Sequence, residues 1–482
     1  MDLLALSMIT PQLIIAAGIV LAMLLVAWRR SQLLIANFTL VILMLSLIAT
    51  INSLGVDKLS VTQLLAVDDY SRFAFILVLS ASIVCVFLSK IMLKQVEDVH
   101  DEYYLLLLLV VLGAGILIVS DHFASLFLGF ELLSIALVGL VGYCRKAPNA
   151  VETGFKYLIL SASASSFMLL GIAFMYAQTG DLSFTQTGLE NVDLTNISLL
   201  YQIGFMLFFS GVAFKLSLVP FHFWTPDVYQ GASSPVAMLL ATVSKCAMFI
   251  VLLKCCYTAS NLALLQHEKL FEFISWIAIL SMIVGNSLAL KQQSIKRMLA
   301  YSSIAHMGYL LIVVLIGDNS GLNLAWQSVL FYLTAYLLAN ASIFTVITLM
   351  DREREVYIDI TINDWRGLFW QQPLHATLLI FSLLSFAGIP LTAGFIGKFY
   401  LVSLAASQSL WALLAALIVG SGIALAYYLP IIFSLFSQQQ PSDDKSTAAM
   451  TLVEKFVVTL FIFIGLAIGI YPDTIGRVLQ AI

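Results

Sequence analysis

Fourteen apolar runs, each close to the roughly 20 residues needed to cross a bilayer, leave this chain little choice of architecture. They fall at about 12–28, 33–54, 72–92, 103–120, 122–144, 153–178, 199–221, 233–257, 271–290, 297–316, 323–350, 373–405, 409–435 and 451–471. Inside hydrocarbon every backbone polar group must find a partner within the protein, so runs of this length fold as helices. Composition agrees. The chain is 61% hydrophobic and 10% charged over 482 residues, whereas a soluble domain carries about 25% charged residues. Mean hydropathy is +1.01. The expected fold is an all-α polytopic membrane protein of about 14 transmembrane helices. The segment MDLLALSMITPQ before the first run lacks a positive n-region, so that run reads as a retained helix rather than a signal peptide.

Loop charges orient the helices. One set of alternate loops carries fifteen Lys and Arg residues, among them Arg29, Arg30, Arg145, Lys146, Lys296 and Arg297. The opposite set carries five: Lys58, Arg72, Lys254, Lys269 and Arg477. The positive-inside rule puts the first set in the cytoplasm and both termini outside. Trp28, Trp224, Trp276, Trp326, Trp370 and Trp411 fall near span ends, as an interfacial aromatic belt predicts. The longest polar segments are 351–372, read as a cytoplasmic loop with a short surface helix, and 437–450. No basic tail is present, which argues against nucleic acid as a partner. The five cysteines lack metal-ligand spacing, so disulfides, iron–sulfur clusters and structural zinc are not expected in this chain.

Two spans are interrupted. In the stretch 211–235, GVAFKLSLVPFHFWTPDVYQGASSP, Lys215 lies in an apolar run and Pro220 follows five residues later. Proline removes a backbone donor and clashes with the preceding turn, so span seven must kink or break there. Pro390 does the same in span twelve. Broken helix at bilayer depth is tolerated only inside protein or beside a water-filled cavity. The two breaks lie five spans apart, so the interrupted helices run in opposite directions, which is the signature of an inverted repeat. The units are spans 4–8 and 9–13. The chain then divides into 1–102 with three N-terminal helices, 103–257 as the first five-helix unit, 258–435 as the second, and 436–482 with helix fourteen. Span five corresponds to span ten, which sets Glu131 opposite His306.

Ionisable residues at depth are the candidate site. They are Glu131 on span five, Lys215 on seven, Lys245 on eight, His306 on ten and Lys398 on twelve. Each charge at a helix centre costs roughly 2.5–3.5 kcal/mol, and four of them on the order of 10 kcal/mol if left unpaired. They must therefore be paired, hydrated or partly neutral. Glu131 has three candidate lysine partners, and Lys215 is favoured because the helix break beside it supplies a cavity. Burial favours a neutral lysine and a nearby carboxylate favours the charged one, so relative movement of Glu131 and Lys215 would load or release a proton. Lys245 would pass the proton along the membrane plane. His306 reads either as a relay or as a hydrogen-bonded core histidine. Lys398 would be the exit group. Tyr301, Ser302, Ser303 and Tyr336 are candidates for holding water between them. His222 reads as an interfacial residue, and Asp227 as a cap or a proton entry point at the cytoplasmic mouth. The small-residue segment 161–167 is explained by close helix packing.

No nucleophile–base pair, phosphate-binding glycine loop or nucleotide motif stands out, which favours transport over bond chemistry. At FKLSLVPFHFWTPDVYQGASSPV (214–236) the sequence resembles the antiporter-like subunits of respiratory complex I. That family shares its fold with subunits of multisubunit cation/proton antiporters. HFASLFLGFELLSIALVGLVGY (122–143), IKRMLAYSSIAHMGYLL (295–311) and LLSFAGIPLTAGFIGKFYL (383–401) look like the N-type subunit of bacterial NADH:quinone oxidoreductase. Lysine on span twelve fits the N and L types rather than the M type. The resemblance implies a fourteen-helix subunit of the membrane arm, with the family's key residues on Glu131, Lys215, Lys245 and Lys398. It implies proton translocation driven by quinone reduction in other subunits, as part of a translocase, with no redox chemistry in this chain. NADH, FMN, iron–sulfur clusters and quinone would then belong to partner subunits, and the partners would be other membrane-arm subunits and lipid. A sodium/proton antiporter subunit and a non-pumping scaffold are the alternatives.

Overall fold

The computed structural model describes residues 3–56, 59–94, 101–145, 149–184, 198–257, 267–316, 322–351, 360–437, 451–473 and 476. The helices at the fourteen expected positions run in order. They are α1 Thr10–Trp28, α2 Gln32–Asn52, α3 Asp69–Leu93, α4 Glu102–Val119, α5 Phe123–Val141, α6 Ala150–Thr179 and α7 Leu199–Leu216. There follow α8 Ser234–Cys256, α9 Glu268–Ala289, α10 Ile295–Val314, α11 Leu322–Asp351, α12 Pro373–Ala387, α13 Trp411–Phe436 and α14 Leu452–Ile470. Among the described residues, thirteen of these are long and apolar enough to cross a membrane. The exception is α12, which forms one half of an interrupted span; the other half is the helix Ala393–Ser407. A short helix, Trp224–Gly231, likewise follows α7. A two-stranded antiparallel hairpin, β1 Leu59–Thr62 and β2 Leu65–Val67, joins α2 to α3.

Local chemistry starts and stops these helices. Asp68 caps α3, its carboxylate accepting from Ser71 N at 2.7 Å. Thr451 and Glu454 form a reciprocal capping box at the start of α14. The interrupted spans do not break at proline. α7 ends at Leu216, where Ser217 turns left-handed (φ 64), and Pro220 sits inside the non-helical segment. α12 ends at Ala387, where Gly388 turns left-handed (φ 79), and Pro390 follows inside the break. In both, the αL residue closes the helix and the proline prevents its resumption.

α8, α10 and α11 form the buried axis, and α1, α2 and α14 lie at the periphery. Pairing follows one pattern twice: α4 packs on α5 and α6 on α7, then α9 on α10 and α11 on α12. Both first pairs are drawn close by glycine. A Cβ at Gly113 of α4 would lie 2.7 Å from Leu133 N, and one at Gly285 of α9 would lie 2.8 Å from Ala305 N.

Several sequence expectations need correction. Lys254, assigned to a periplasmic loop, is buried in α8. Its ammonium donates to Ala66 O (3.0 Å), Ser71 Oγ (3.1 Å) and Ile118 O (3.2 Å), and faces Asp68 at 3.9 Å. It therefore ties the hairpin and the ends of α3 and α4 to α8. Lys254→Met should lower stability by about 1.5–3 kcal/mol, the range for hydrogen bonds to a charged group. The heat-unfolding midpoint of the detergent-extracted protein would show it, and an unchanged midpoint would reduce Lys254 to a bystander. Trp224 and Trp326 are also buried within the protein rather than exposed at its outer surface. Trp224 Nε1 donates to Phe214 O at 2.9 Å across the α7 break, and Trp326 stacks on Tyr70 at 4.9 Å. Of the two polar segments, 360–372 forms a 3-10 turn at Ile362–Trp365 and a short helix at Leu368–Gln371. Residues 352–359 and 438–450 lie outside the described residues.

Candidate functional site

The three intramembrane lysines are each almost completely buried, at 0% exposure for Lys215 and Lys245 and 6% for Lys398. Among the described residues none of them makes an ion pair. Hydroxyls, carbonyls and aromatic faces take the place of carboxylates, and this is the central chemical fact of the site.

Lys215 lies in the last turn of α7, directly before the break. Its Nζ donates to Ser134 Oγ at 2.8 Å and to Tyr157 Oη at 3.0 Å, and sits 5.2 Å from the Phe130 ring centre. Ser134 in turn donates to Phe130 O at 2.7 Å, so its lone pair is left to face the lysine. The Tyr157 ring packs on Trp224 at 4.9 Å, which links the lysine's acceptor to the short helix beyond the break. Glu131 does not contact Lys215. It is half-buried on α5, one turn before Ser134, the α5 side chain that accepts from the lysine. The favoured pairing is thus not a direct ion pair: the ammonium's hydrogen bonds go to Ser134 and Tyr157. An α5 side chain with i, i+3 spacing to Glu131 has taken the lysine.

In α8, a π-helical turn, Leu240–Ser244, immediately precedes Lys245. Such turns widen a helix by one residue and recur at functional positions. Lys245 Nζ donates to Ser303 Oγ of α10 and lies 5.8 Å from the Tyr229 ring centre. Tyr336 of α11 also donates to Ser303 Oγ, at 2.8 Å, so this one hydroxyl joins α8, α10 and α11. Ser303 and Tyr336 were both singled out from sequence. Ser302 instead bonds Tyr428 of α13.

One turn along α10 from Ser302, His306 Nδ1 is 2.6 Å from Tyr332 Oη. His306, Tyr332, Tyr336, Ser385, Phe386 and Lys398 line a cavity of about 10 Å³, roughly the free volume that one water needs. Lys398 comes from Ala393–Ser407 and reaches back over the break. Its Nζ donates to Phe386 O at 2.9 Å and Ala387 O at 3.0 Å, the last carbonyls of α12, and lies 5.2 Å from the Tyr309 ring centre. Behind it, Asn286 Nδ2 donates to Tyr309 Oη at 2.8 Å, and Tyr427 Oη to Asn286 Oδ1 at 3.0 Å.

The structure thus gathers Lys245, His306 and Lys398 around α10, and places Lys215 with Glu131 in the first half. Ser134, Tyr157, Tyr332, Asn286 and Tyr309 escaped sequence reading. A polar side chain inside an apolar run was their only signal, and many serines and tyrosines in this chain share it. His222 is buried within the protein beside the α7 break. Asp227 accepts from Arg297 at 2.7 Å and lies 3.8 Å from Lys156, tying the short helix Trp224–Gly231 to α10 and α6.

The family described as "NADH:quinone oxidoreductase/Mrp antiporter, TM" matches residues 120–424, which include all five candidate residues and both breaks. A chain of respiratory complex I from Thermus thermophilus with bound aureothin is similar over 98% of both chains, at 30% identity and a TM-score of 0.82. A chain of the membrane-bound sulfane sulfur reductase, an archaeal respiratory membrane complex, shares 23% identity over 100% of this chain and 97% of its own (TM-score 0.83). A chain of the Mrp complex from Dietzia sp. DQ12-45-1b shares 18% identity over 99% and 96% (TM-score 0.82). The last two share the fold. The family match over most of the membrane core and the similarity along the full chain to a complex I subunit together establish that this protein belongs to the antiporter-like family of complex I and Mrp membrane subunits.

Proposed function

We propose that this chain is the N-type, proton-translocating subunit in the membrane arm of a bacterial NADH:quinone oxidoreductase. One observation carries the reading: three lysines buried at depth, held by hydroxyls and carbonyls instead of carboxylates, with Lys215 and Lys398 on helices that adjoin the two breaks. A scaffold gains nothing from burying such groups. A proton carrier needs them, because an amine without a fixed counter-ion can change protonation when its surroundings shift.

In this reading a proton enters near Asp227 and Arg297 and is held at Lys215, whose charge state responds to Glu131. It then moves by Lys245 and His306 to Lys398 and out. The two five-helix units, 103–257 and 258–435, are the two halves of the path. The chain lies in the inner membrane with both termini periplasmic. Its partners are the other membrane-arm subunits. Those subunits carry NADH, FMN, iron–sulfur clusters and quinone, and this chain takes part in the translocase without redox chemistry of its own.

The test is to isolate the assembled complex from native membranes through a tag on this chain and reconstitute it in vesicles. NADH-driven quinone reduction coupled to proton uptake, unchanged when sodium is omitted, is the expected result. Sodium-dependent proton exchange without NADH oxidation would replace this reading with the antiporter one.

A further inference from the structure

We infer that Gly388 is a positioning residue for Lys398, providing the slot through which the lysine reaches the end of α12. The inference rests on the reading of Lys398 as a proton-carrying group.

The geometry begins with the four carbonyls that every helix end leaves without intrahelical partners. At α12 the left-handed turn serves two of them. Gly388 N donates to Leu384 O (3.0 Å) and Ser385 O (3.1 Å), and Ile389 N donates to Leu384 O (3.1 Å). Phe386 O and Ala387 O remain, and the Lys398 ammonium takes both. A cation is favoured at a helix C-terminus, so this is a natural seat for it. To reach it, the lysine stem must cross the face of residue 388. A Cβ there would lie 2.8 Å from Lys398 Cδ and 3.3 Å from both Cε and Nζ. The α7 break contains no such slot: Ser217 occupies its left-handed position, and Trp224 Nε1 takes the Phe214 carbonyl there. Gly388 therefore answers two demands, a positive φ and an empty side-chain position, and the three atoms nearest that empty position all belong to Lys398.

A control for the first demand is built into the chain. Gly180 is also left-handed (φ 70), and a Cβ there meets nothing within 4 Å. Gly388→Ala and Gly180→Ala therefore both impose an L side chain on a left-handed backbone, and only the former forces a lysine stem to shift. In vesicles holding the assembled complex, we expect Gly388→Ala to lower proton uptake per quinone reduced on the order of 10–100-fold, the scale of about 1 Å of misplacement in an organised site. The pH dependence of what remains should differ from that of the parent. Gly180→Ala should change neither. Equal losses in the two variants, or a normal Gly388→Ala, would overturn the inference. If Gly388→Ala does not assemble, adding Lys398→Ala decides the matter: recovered assembly supports the slot, and continued failure assigns the defect to the backbone and rejects it. Lys398→Met keeps the two proposals apart. Normal pumping in that variant removes Lys398 from the proton path, whatever Gly388 does.

Discussion

Replacing Lys215 with methionine is expected to abolish proton uptake driven by NADH oxidation in a complex that still assembles. Methionine keeps most of the bulk in a fully buried position and removes the ammonium. Its cost in packing is small, because the ammonium lies over the Phe130 and Tyr157 rings, apolar faces that a methionine can also meet. Two acceptors lose their donor, but each keeps another role. Ser134 still donates to Phe130 O, and the Tyr157 ring stays packed on Trp224. The loss should therefore be functional, on the order of 10²–10⁴-fold, as for removal of a positioned proton-transfer group. Quinone reduction and proton uptake measured together give the answer. Normal pumping would make Lys215 a packing residue and put the scaffold reading ahead. Ser134→Ala would refine a positive result: it removes one of the two hydroxyls that hold the Lys215 ammonium, so a partial loss there shows that the lysine's seat matters as well as its charge.

The largest structural effect is expected at Gly394. A Cβ at this position would lie 1.8 Å from Ser385 O and 2.7 Å from Ser385 C, both backbone atoms that cannot swing aside. Gly394→Ala must push Ala393–Ser407 away from α12, and Gly394 N would lose its 3.1 Å bond to Ser385 Oγ. Ser385, Gly394 and Lys398 line one cavity, so the displacement reaches the site itself. Overpacking typically costs about 1–3 kcal/mol and more when backbone is in the way. We expect a sharp fall in the amount of chain retained in assembled complex, and a lower heat-unfolding midpoint in what remains. Parent-level assembly and stability would show that the two half-helices are free to separate. The same substitution at Gly422, where a Cβ meets nothing within 4 Å, should be neutral.

The number of spans, their order and the class of fold were legible from the chain alone, because lipid permits one solution for a long apolar run. The candidate residues were legible for the complementary reason: a lysine in such a run is expensive, so Lys215, Lys245 and Lys398 announce themselves. Proline marked both interrupted spans for a reason internal to its own ring. Partner choice was not legible. Sequence favoured Glu131 for Lys215, but the α5 helix carries Ser134 one turn further on, and the arrangement of α5, α6 and α7 around the lysine decides what the ammonium meets. Lys254 read as a loop residue because it lies near the end of its run; burial under the β1–β2 hairpin is a long-range fact. The π-helical turn before Lys245, the single Ser303 hydroxyl shared by α8, α10 and α11, and the two α12 carbonyls waiting for Lys398 likewise exist only once distant helices meet. Local chemistry along the chain determined which residues had to be accommodated at depth. Tertiary packing decided what accommodates them, since a buried amine binds whichever acceptors neighbouring helices bring within about 3 Å.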